Sequence, residues 1–387
     1  MDSTRTYMDW NATAPLLHEA REAFLRVSLM DGNPSSVHRE GRAIRAEIEA
    51  ARRKVAAALG AKPTEVVFTS GATEAANLIL TPDFRMGRAP LKIGRLYVSA
   101  IEHKAVFEGG RFAKADIEII PVHANGAVDL TALEAMLAAH DSASGLPAVA
   151  LMLANNETGV IQPVAEAAGL AHAASGILVV DAVQAFGRIP LDIQALDADF
   201  MIVSSHKIGG PKGAGALVSR GEAMMPVALI HGGGQEKGHR SGTENAAAIA
   251  GFGAAAEAAV AALEQRSAKV RSMRDALERD MRAIAPELVI HGDGSERLPN
   301  TTFFSLEGLK SETGQIAFDI EGVALSAGSA CSSGKVGESH VLKAMGLDPR
   351  MGALRISIGS STTDRDIERT LAAFAKIAGR MKNARAA

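Results

Sequence analysis

The chain has 387 residues, enough for two or three domains, and 41 Lys and Arg against 44 Asp and Glu leave a net charge of −3. That balance argues against a nucleic-acid binder, and an apolar content of 47% allows a large core and excludes wholesale disorder. A single cysteine excludes an intramolecular disulfide and a Cys-rich metal cluster, and fits a reducing, cytoplasmic setting.

The N-terminus lacks a basic stretch followed by an apolar run, so no signal peptide is expected. Short apolar runs then predict strands at Glu65–Thr69, Leu96–Ser99, Ile117–Val122, Ala148–Ala154, Ile177–Asp181, Phe200–Ser204 and Ala216–Ser219. Amphipathic stretches between them predict helices over Ala43–Leu59, Lys104–Ala115, Leu130–Ala139 and Val164–Ala174. This alternation implies crossover units and a mostly parallel sheet. Ala246–Leu263 is rich in Ala, with Gly251, Gly253 and one charge, Glu257; it reads as a packed core helix rather than a membrane span.

Beyond residue 263 the texture changes. A charged helix is expected over Leu263–Ile284, then strands at Leu288–His291, Thr301–Leu306, Ala324–Ala327 and Leu354–Ile358, with helices near Glu312–Ile320 and Ser339–Met345. A last helix starts near Asp364, where Thr363 and Asp366 have capping-box spacing. The expected organisation is a large α/β domain over 16–262 and a smaller α+β domain made of 1–15 and 263–387.

Several motifs carry chemistry. Ser70-Gly71-Ala72-Thr73-Glu74 joins a strand to a helix and offers backbone N–H groups to an anion, or is an ordinary capped turn. Asp181 ends a strand where α/β ligands bind, with Gln184 three residues on; it would equally cap the next helix. Lys207 follows the next strand in Ser204-Ser205-His206-Lys207, beside a glycine-rich turn, and suits a Schiff-base lysine or a solvated loop. Together, a strand-end Asp and a strand-end Lys are the two groups that pyridoxal 5′-phosphate (PLP) needs. Cys331 sits among small residues, as a reactive thiolate or a small apolar residue would. Arg355, inside an apolar strand, needs a salt-bridge partner or a carboxylate ligand. The Gly328–Lys335 stretch and Gly232-Gly233-Gly234 fit neither nucleotide-binding glycine pattern, and no H-x-x-x-H pair suggests zinc.

These blocks, in order, resemble the cysteine desulfurases of the NifS/IscS type, fold-type-I PLP enzymes of the aminotransferase class-V family. The resemblance runs from Tyr7-Met8-Asp9-Trp10-Asn11 to the last helix. It includes Gly32-Asn33-Pro34-Ser35-Ser36-Val37-His38, Glu102-His103-Lys104, Asn155-Asn156-Glu157-Thr158-Gly159, Arg240-Ser241-Gly242-Thr243-Glu244-Asn245 and Gly328-Ser329-Ala330-Cys331. It implies a large domain with a mostly parallel, mixed seven-stranded sheet and a smaller α+β domain carrying the cysteine loop.

By the resemblance Lys207 holds PLP, His103 stacks on the ring and shuttles protons, Asp181 pairs with the ring nitrogen and Gln184 with the phenolic oxygen. Ala72, Thr73, Ser204 and His206 hold the phosphate, and Thr243 reaches the phosphate of a second subunit, which implies a homodimer. Asn155, Arg355 and Asn11 bind the substrate L-cysteine, and Cys331 takes its sulfur as a persulfide, releasing L-alanine. The run from Cys331 to His340 resembles the longer loop of the NifS/IscS branch rather than the SufS segment. The implied role is sulfur supply to an acceptor such as an iron–sulfur scaffold, or to other thiolation, with selenocysteine lyase or another class-V PLP enzyme as the alternative. Nucleic acid, membrane and metal are not expected. Trp10 stands where relatives often carry a small, polar or Tyr residue and is expected to alter the entrance. The chain ends soon after the last helix, where some relatives carry a tail that docks a scaffold, so the acceptor is left open.

Overall fold

The structure, a computed structural model, describes residues 5–328, 338–348 and 352–386, with side chains described to residue 382. Cys331 lies outside the described residues.

The strands are β1 (Thr6–Tyr7), β2 (Val66–Thr69), β3 (Asp83–Met86), β4 (Ala89–Ser99), β5 (Ile117–Ile120), β6 (Leu146–Met152), β7 (Ile177–Asp181), β8 (Phe200–Ser204), β9 (Gly215–Ser219), β10 (Met224–Pro226), β11 (Val289–Ile290), β12 (Thr301–Ser305), β13 (Val323–Ala324), β14 (Ser326–Ala327) and β15 (Leu354–Ser357). The helices are α1 (His18–Ser28), α2 (Arg39–Ala58), α3 (Ala72–Ile79), α4 (Lys104–Phe107), α5 (Leu130–Ala138), α6 (Val164–Ala173), α7 (Ala246–Val260), α8 (Leu263–Ile284), α9 (Ser311–Ile320), α10 (His340–Ala344) and α11 (Asp364–Ala386).

The seven expected strands form one sheet in the order β5-β4-β6-β7-β8-β9-β2, parallel from β5 to β8, with β9 antiparallel to both its neighbours. An extension not read in the sequence brings the sheet to nine strands. The long β4 pairs through its first half with β3, which pairs with β10, and through its second half with β5. Strands buried on both faces read as continuous apolar runs, which is why period-2 alternation was absent. Alternate residues still go to opposite sides. Leu178 and Val180 join a core with residues of α2, α6 and α7, while Ile177 and Val179 join another with residues of α3. Each buried side chain of this size contributes about 1.5–3 kcal/mol.

The Ala-rich stretch forms α7, which packs on α1 and α2, and no single described helix is long and apolar enough to cross a membrane; α7 with α8, bent by 74°, would be only by length and composition. A Cβ on Gly253 would come within 2.6 Å of the Ala51 Cα, so glycine lets α7 and α2 approach that closely.

The second part of the chain builds an antiparallel sheet, β11-β12-β15-β14, backed by α8 and α11. Its core contains Leu277, Met281, Phe304, Phe318, Ile356 and Phe374, together with Met8 from the N-terminal segment. That segment enters as β1, parallel to β13.

One expected helix is much shorter than read. The stretch Lys104–Ala115 is α-helical only over Lys104–Phe107, because Gly109 and Gly110 take φ of +75° and +58° and turn the chain away, before a 3-10 turn at Lys114–Asp116. By contrast, α8 has the expected bounds, and at α11 the Thr363 hydroxyl and N–H both donate to Asp366 Oδ2, as the capping spacing requires.

Candidate active site

The C-terminal ends of β6, β7 and β8 and the start of α3 face a cavity of about 610 Å³. Of the residues singled out for a cofactor, Ala72, Thr73, His103, Asp181, Gln184, Ser204, His206 and Lys207 all line it.

Lys207 ends the single 3-10 turn that follows β8. Its Nζ donates to the Asn11 carbonyl at 2.7 Å and the Ala12 carbonyl at 2.9 Å, so the N-terminal segment sets where the amine points. Asp181 ends β7, and its Oδ1 accepts from the Val183 N–H at 2.9 Å. Burial pushes its carboxyl up to about 6, against the lowering by that N–H and by Lys207. A cation beside it, such as a protonated ring nitrogen, would bring it back down. Behind it Glu102, wholly buried, accepts from the Met152 N–H through Oε1, while Oε2 has no hydrogen-bond partner. Burial, then the Asp181 charge, holds Glu102 well above the usual carboxylate range.

His103 caps α4: its Nδ1 accepts from the Ala105 N–H at 3.2 Å. An accepting Nδ1 puts the proton of the neutral ring on Nε2. Burial, with help from Lys207, lowers its pKa to about 4, so the ring is neutral at ordinary pH. His206 is likewise lowered to about 4 by burial and by Lys207, and its Nδ1 lies 3.2 Å from the Thr13 hydroxyl. Opposite, the first N–H groups of α3 at Ala72 and Thr73 face the cavity at a helix N-terminus, where an anion is favoured. Gln184 spans two partners, donating to the Asn11 carbonyl at 3.0 Å and accepting from Arg188 Nη1 at 2.7 Å.

The expected substrate group is arranged differently. Asn155 is not brought to the cavity wall. Its Oδ1 accepts from the N–H groups of Glu157 and Thr158, and its Nδ2 donates to the Ile101 carbonyl at 3.0 Å. Its neighbour Asn156 lines the cavity instead, and the buried Asn156 Oδ1 has no hydrogen-bond partner. The expectation named Asn155; the structure brings Asn156, not Asn155, to the cavity wall. The available signal was the turn itself: in Asn155-Asn156-Glu157-Thr158-Gly159 the first Asn closes an Asx turn on the N–H two residues on, which frees the second.

Asn11 also turns its side chain away. Its Nδ2 donates to the Thr301 hydroxyl at 2.9 Å and its Oδ1 accepts from Asn300. Arg355 is buried and does not line the cavity. Nη2 donates to Asp9 Oδ1 and Nη1 to the Asn156 carbonyl, both at 2.8 Å, leaving Nε without a partner. The salt-bridge alternative for Arg355 is therefore the one realised here. Trp10 does not line the cavity either. It packs on Gly359 beside a second cavity of about 270 Å³ that shares Lys207. Thr243 lies in a smaller adjoining depression with Ser70 and Gly213, both of which also line the main cavity.

Two further polar residues at the cavity, beyond Asn156, were not singled out in the sequence. Lys212 lines the cavity, and Arg188 is buried behind it, fixing Gln184 and donating to the Trp10 carbonyl. Nothing in their local sequence distinguishes them from surface residues. The residues present fit PLP: a carboxylate for a cationic ring nitrogen, an amine, a neutral imidazole, a helix N-terminus for phosphate, and the unpartnered Asn156 Oδ1 for a donor.

Residues 6–370 match the aminotransferase class-V family. An IscS-like cysteine desulfurase of Mycobacterium tuberculosis is 38% identical, the alignment covering 94% of each chain. The cysteine desulfurase IscS of Dictyoglomus turgidum is 36% identical over 97% of this chain and 95% of its own. The X-ray structure of a NifS-like protein from Rickettsia africae superposes with a TM-score of 0.86 at 34% identity, over 96% of this chain and 99% of that one. With the fold-type-I sheet and the composition of its cavity, this chain belongs to the aminotransferase class-V family, among its cysteine desulfurases of the NifS/IscS type.

Proposed function

We propose that this chain converts L-cysteine to L-alanine, with PLP in the main cavity and the sulfur received by Cys331 as a persulfide. The convergence of Lys207, Asp181 and His103 on one cavity carries this reading. The family is PLP-dependent, and the cofactor, when bound, supplies an electron sink that acidifies the substrate Cα–H.

The chain's own residues do the rest. Lys207 would hold the cofactor through Nζ, and the same amine would take the substrate Cα proton. The carbonyls of Asn11 and Ala12 keep that nitrogen in place. Asp181 would hold a proton on the ring nitrogen, and burial beside Asp181 disfavours a second charge on Glu102. His103, a neutral ring with its proton on Nε2, would move a proton within the site. Asn156 binds a donor of the cofactor or substrate through Oδ1, while Ala72, Thr73, Ser204 and His206 bind phosphate. The Cys331 thiolate attacks the substrate sulfur, so an S–S bond forms as the Cβ–S bond breaks. The bond electrons stay on Cβ, which takes a proton, and alanine leaves with no other reductant required.

The same reading makes the protein a cytoplasmic homodimer in which Thr243 reaches the partner's phosphate. The persulfide is passed to an acceptor such as an iron–sulfur scaffold. It also divides the chain into domains at 16–262 and at 1–15 with 263–387; the separate cores support this, with Met8 in the second.

The test is a cysteine assay on wild type and Cys331→Ser, following the visible spectrum, alanine and sulfide together. A yellow wild type giving equal alanine and sulfide in the presence of a thiol reductant, with a yellow but inactive variant, is expected. A variant that keeps full turnover would mean a lyase or transaminase mechanism instead.

A further inference from the structure

The segment 329–337, which includes Cys331, is bounded by residues that are described, and both bounds meet the same side chain. On the leading side, β14 pairs with β15 and delivers Gly328, whose N–H donates to the Ala353 carbonyl at 3.2 Å. A Cβ on Gly328 would stand 2.9 Å from Glu157 Oε2 and 2.6 Å from the Phe303 ring, so only glycine passes this close. On the trailing side, Ser339 Oγ donates to the same Glu157 Oε2 at 2.6 Å and accepts from the Leu342 N–H at 3.1 Å, capping α10. The next residue, His340, donates from Nε2 to the Glu102 carbonyl at 2.9 Å and lies against Phe107 with ring centroids 5.5 Å apart.

Glu157 adjoins Asn156, and Glu102 adjoins His103, and both of those neighbours line the main cavity. The bounds of the cysteine segment are thus fastened to the cavity wall. Glu157 itself is 2% exposed, where a hydroxyl–carboxyl hydrogen bond is stronger than in water.

We infer that Glu157 is a positioning residue for sulfur transfer: by lying against Gly328 and receiving the Ser339 hydroxyl, it holds together the two bounds of the segment that presents Cys331. This rests on the reading of Cys331 as the sulfur acceptor. Holding both bounds at one point fixes where the intervening chain starts and ends against the cavity wall, so loosening either bound is expected to change how often the thiol meets the cavity. Ser339 and His340 act through the same fastening. None of the three needs to touch cofactor or substrate.

The test uses holoenzyme with Glu157→Ala, Ser339→Ala, both together, Glu157→Gln and Ser339→Thr. Single-turnover alanine formation reports transfer to Cys331, and the cysteine concentration giving the half-maximal change in cofactor absorbance reports substrate binding. The alkylation rate of the only thiol in the chain, read without substrate, reports how Cys331 is presented. We expect each Ala variant to slow the alanine burst about tenfold, the size of one lost buried hydrogen bond, and to change alkylation by a similar factor. Substrate binding stays within about twofold, and the double variant is no slower than the worse single one, because both break one contact. Glu157→Gln and Ser339→Thr, which keep an acceptor and a hydroxyl, stay within about threefold of wild type.

Effects that multiply in the double variant, or bursts and alkylation equal to wild type, overturn the inference. So does a loss of substrate binding as large as the loss of burst. A Cys331→Ser control that makes alanine at the wild-type rate would instead overturn the sulfur-acceptor reading, independently of the fastening.

Discussion

Two walls of polar residues meet at Asn156, and they are built on opposite plans. The cofactor side, from α3 across β7 and β8, presents groups that can receive a ligand: helix N–H groups, a neutral imidazole, a carboxyl lifted by burial and an amine oriented by two carbonyls. The other side is closed on itself. Asp9, Asn11, Asn156, Asn300, Thr301 and Arg355 join into one network, buried but for a partly exposed Asp9 and drawn from four separated stretches of chain. Groups that receive a ligand must be left partly unsatisfied, whereas a network that fixes one chain segment against another is stable only when its members satisfy each other. One unpartnered atom, Asn156 Oδ1, marks where the second wall still faces the first.

The contrast predicts that the first wall, when cut, loses chemistry and the second loses stability. The largest effect is expected from Lys207→Ala. Turnover of cysteine should fall by at least about 10³-fold, with loss of the long-wavelength cofactor band, while the urea midpoint of the apoprotein changes little. A cofactor band that survives the substitution would remove Lys207 from its role.

Next comes Arg355→Ala. It leaves Asp9 without its buried partner, so urea unfolding should show a loss of about 3–4 kcal/mol. If stability is instead unchanged and only KM for cysteine rises, Arg355 belongs to the first wall, free to exchange Asp9 for a substrate carboxylate.

Third is a pH effect at Glu157, where burial lifts the carboxyl to about 7 against lowering by Ser339 and Arg355. Below about pH 4.5 the folded and unfolded forms are both protonated and nothing is lost. Between about 4.5 and 7 the folded form binds the extra proton, so stability falls as pH rises. Glu157→Gln does not titrate, and should therefore gain on wild type across that window, by about 3 kcal/mol in denaturant titrations by pH 7–8. A constant difference between the two proteins would show that Glu157 is ionised throughout.

The smallest effect separates the adjacent asparagines. Asn155→Ala should cost about 1–3 kcal/mol of stability through the broken turn, measurable by thermal unfolding, with the cofactor spectrum intact. Asn156→Ala should do the reverse, shifting the cofactor band or weakening cysteine binding at nearly unchanged stability. An identical profile for both would erase the distinction between the walls at their meeting point.

Much of the frame was legible in the residues. The runs ending in Asp181 and Ser204 gave β7 and β8 with those ends, α8 starts and stops where its pattern does, and Thr363 with Asp366 marked the start of α11. The positions of Asp181, Ser204, Lys207 and the start of α3 were legible for the same reason, since each lies at or just past a strand end that local pattern locates, whereas His103 was pointed to only by the resemblance. The shortened α4 was in principle legible too, from the pair Gly109-Gly110.

The remainder was decided only in three dimensions. Strands β3 and β10 are brief and partly exposed, and exist because β4 runs long enough to offer them an edge. The turn holds Asn155 Oδ1 locally, but its Nδ2 is held by the Ile101 carbonyl, 54 residues away in the chain. That Arg355 would be paired to Asp9 is a contact 346 residues apart. Periodicity, caps and turn chemistry act over a few residues, so the sequence by itself determined elements and the strand ends that carry the cofactor side. Satisfaction of buried polar groups acts between segments brought together by folding, so tertiary structure alone decided which of those groups are occupied and which remain open to a ligand.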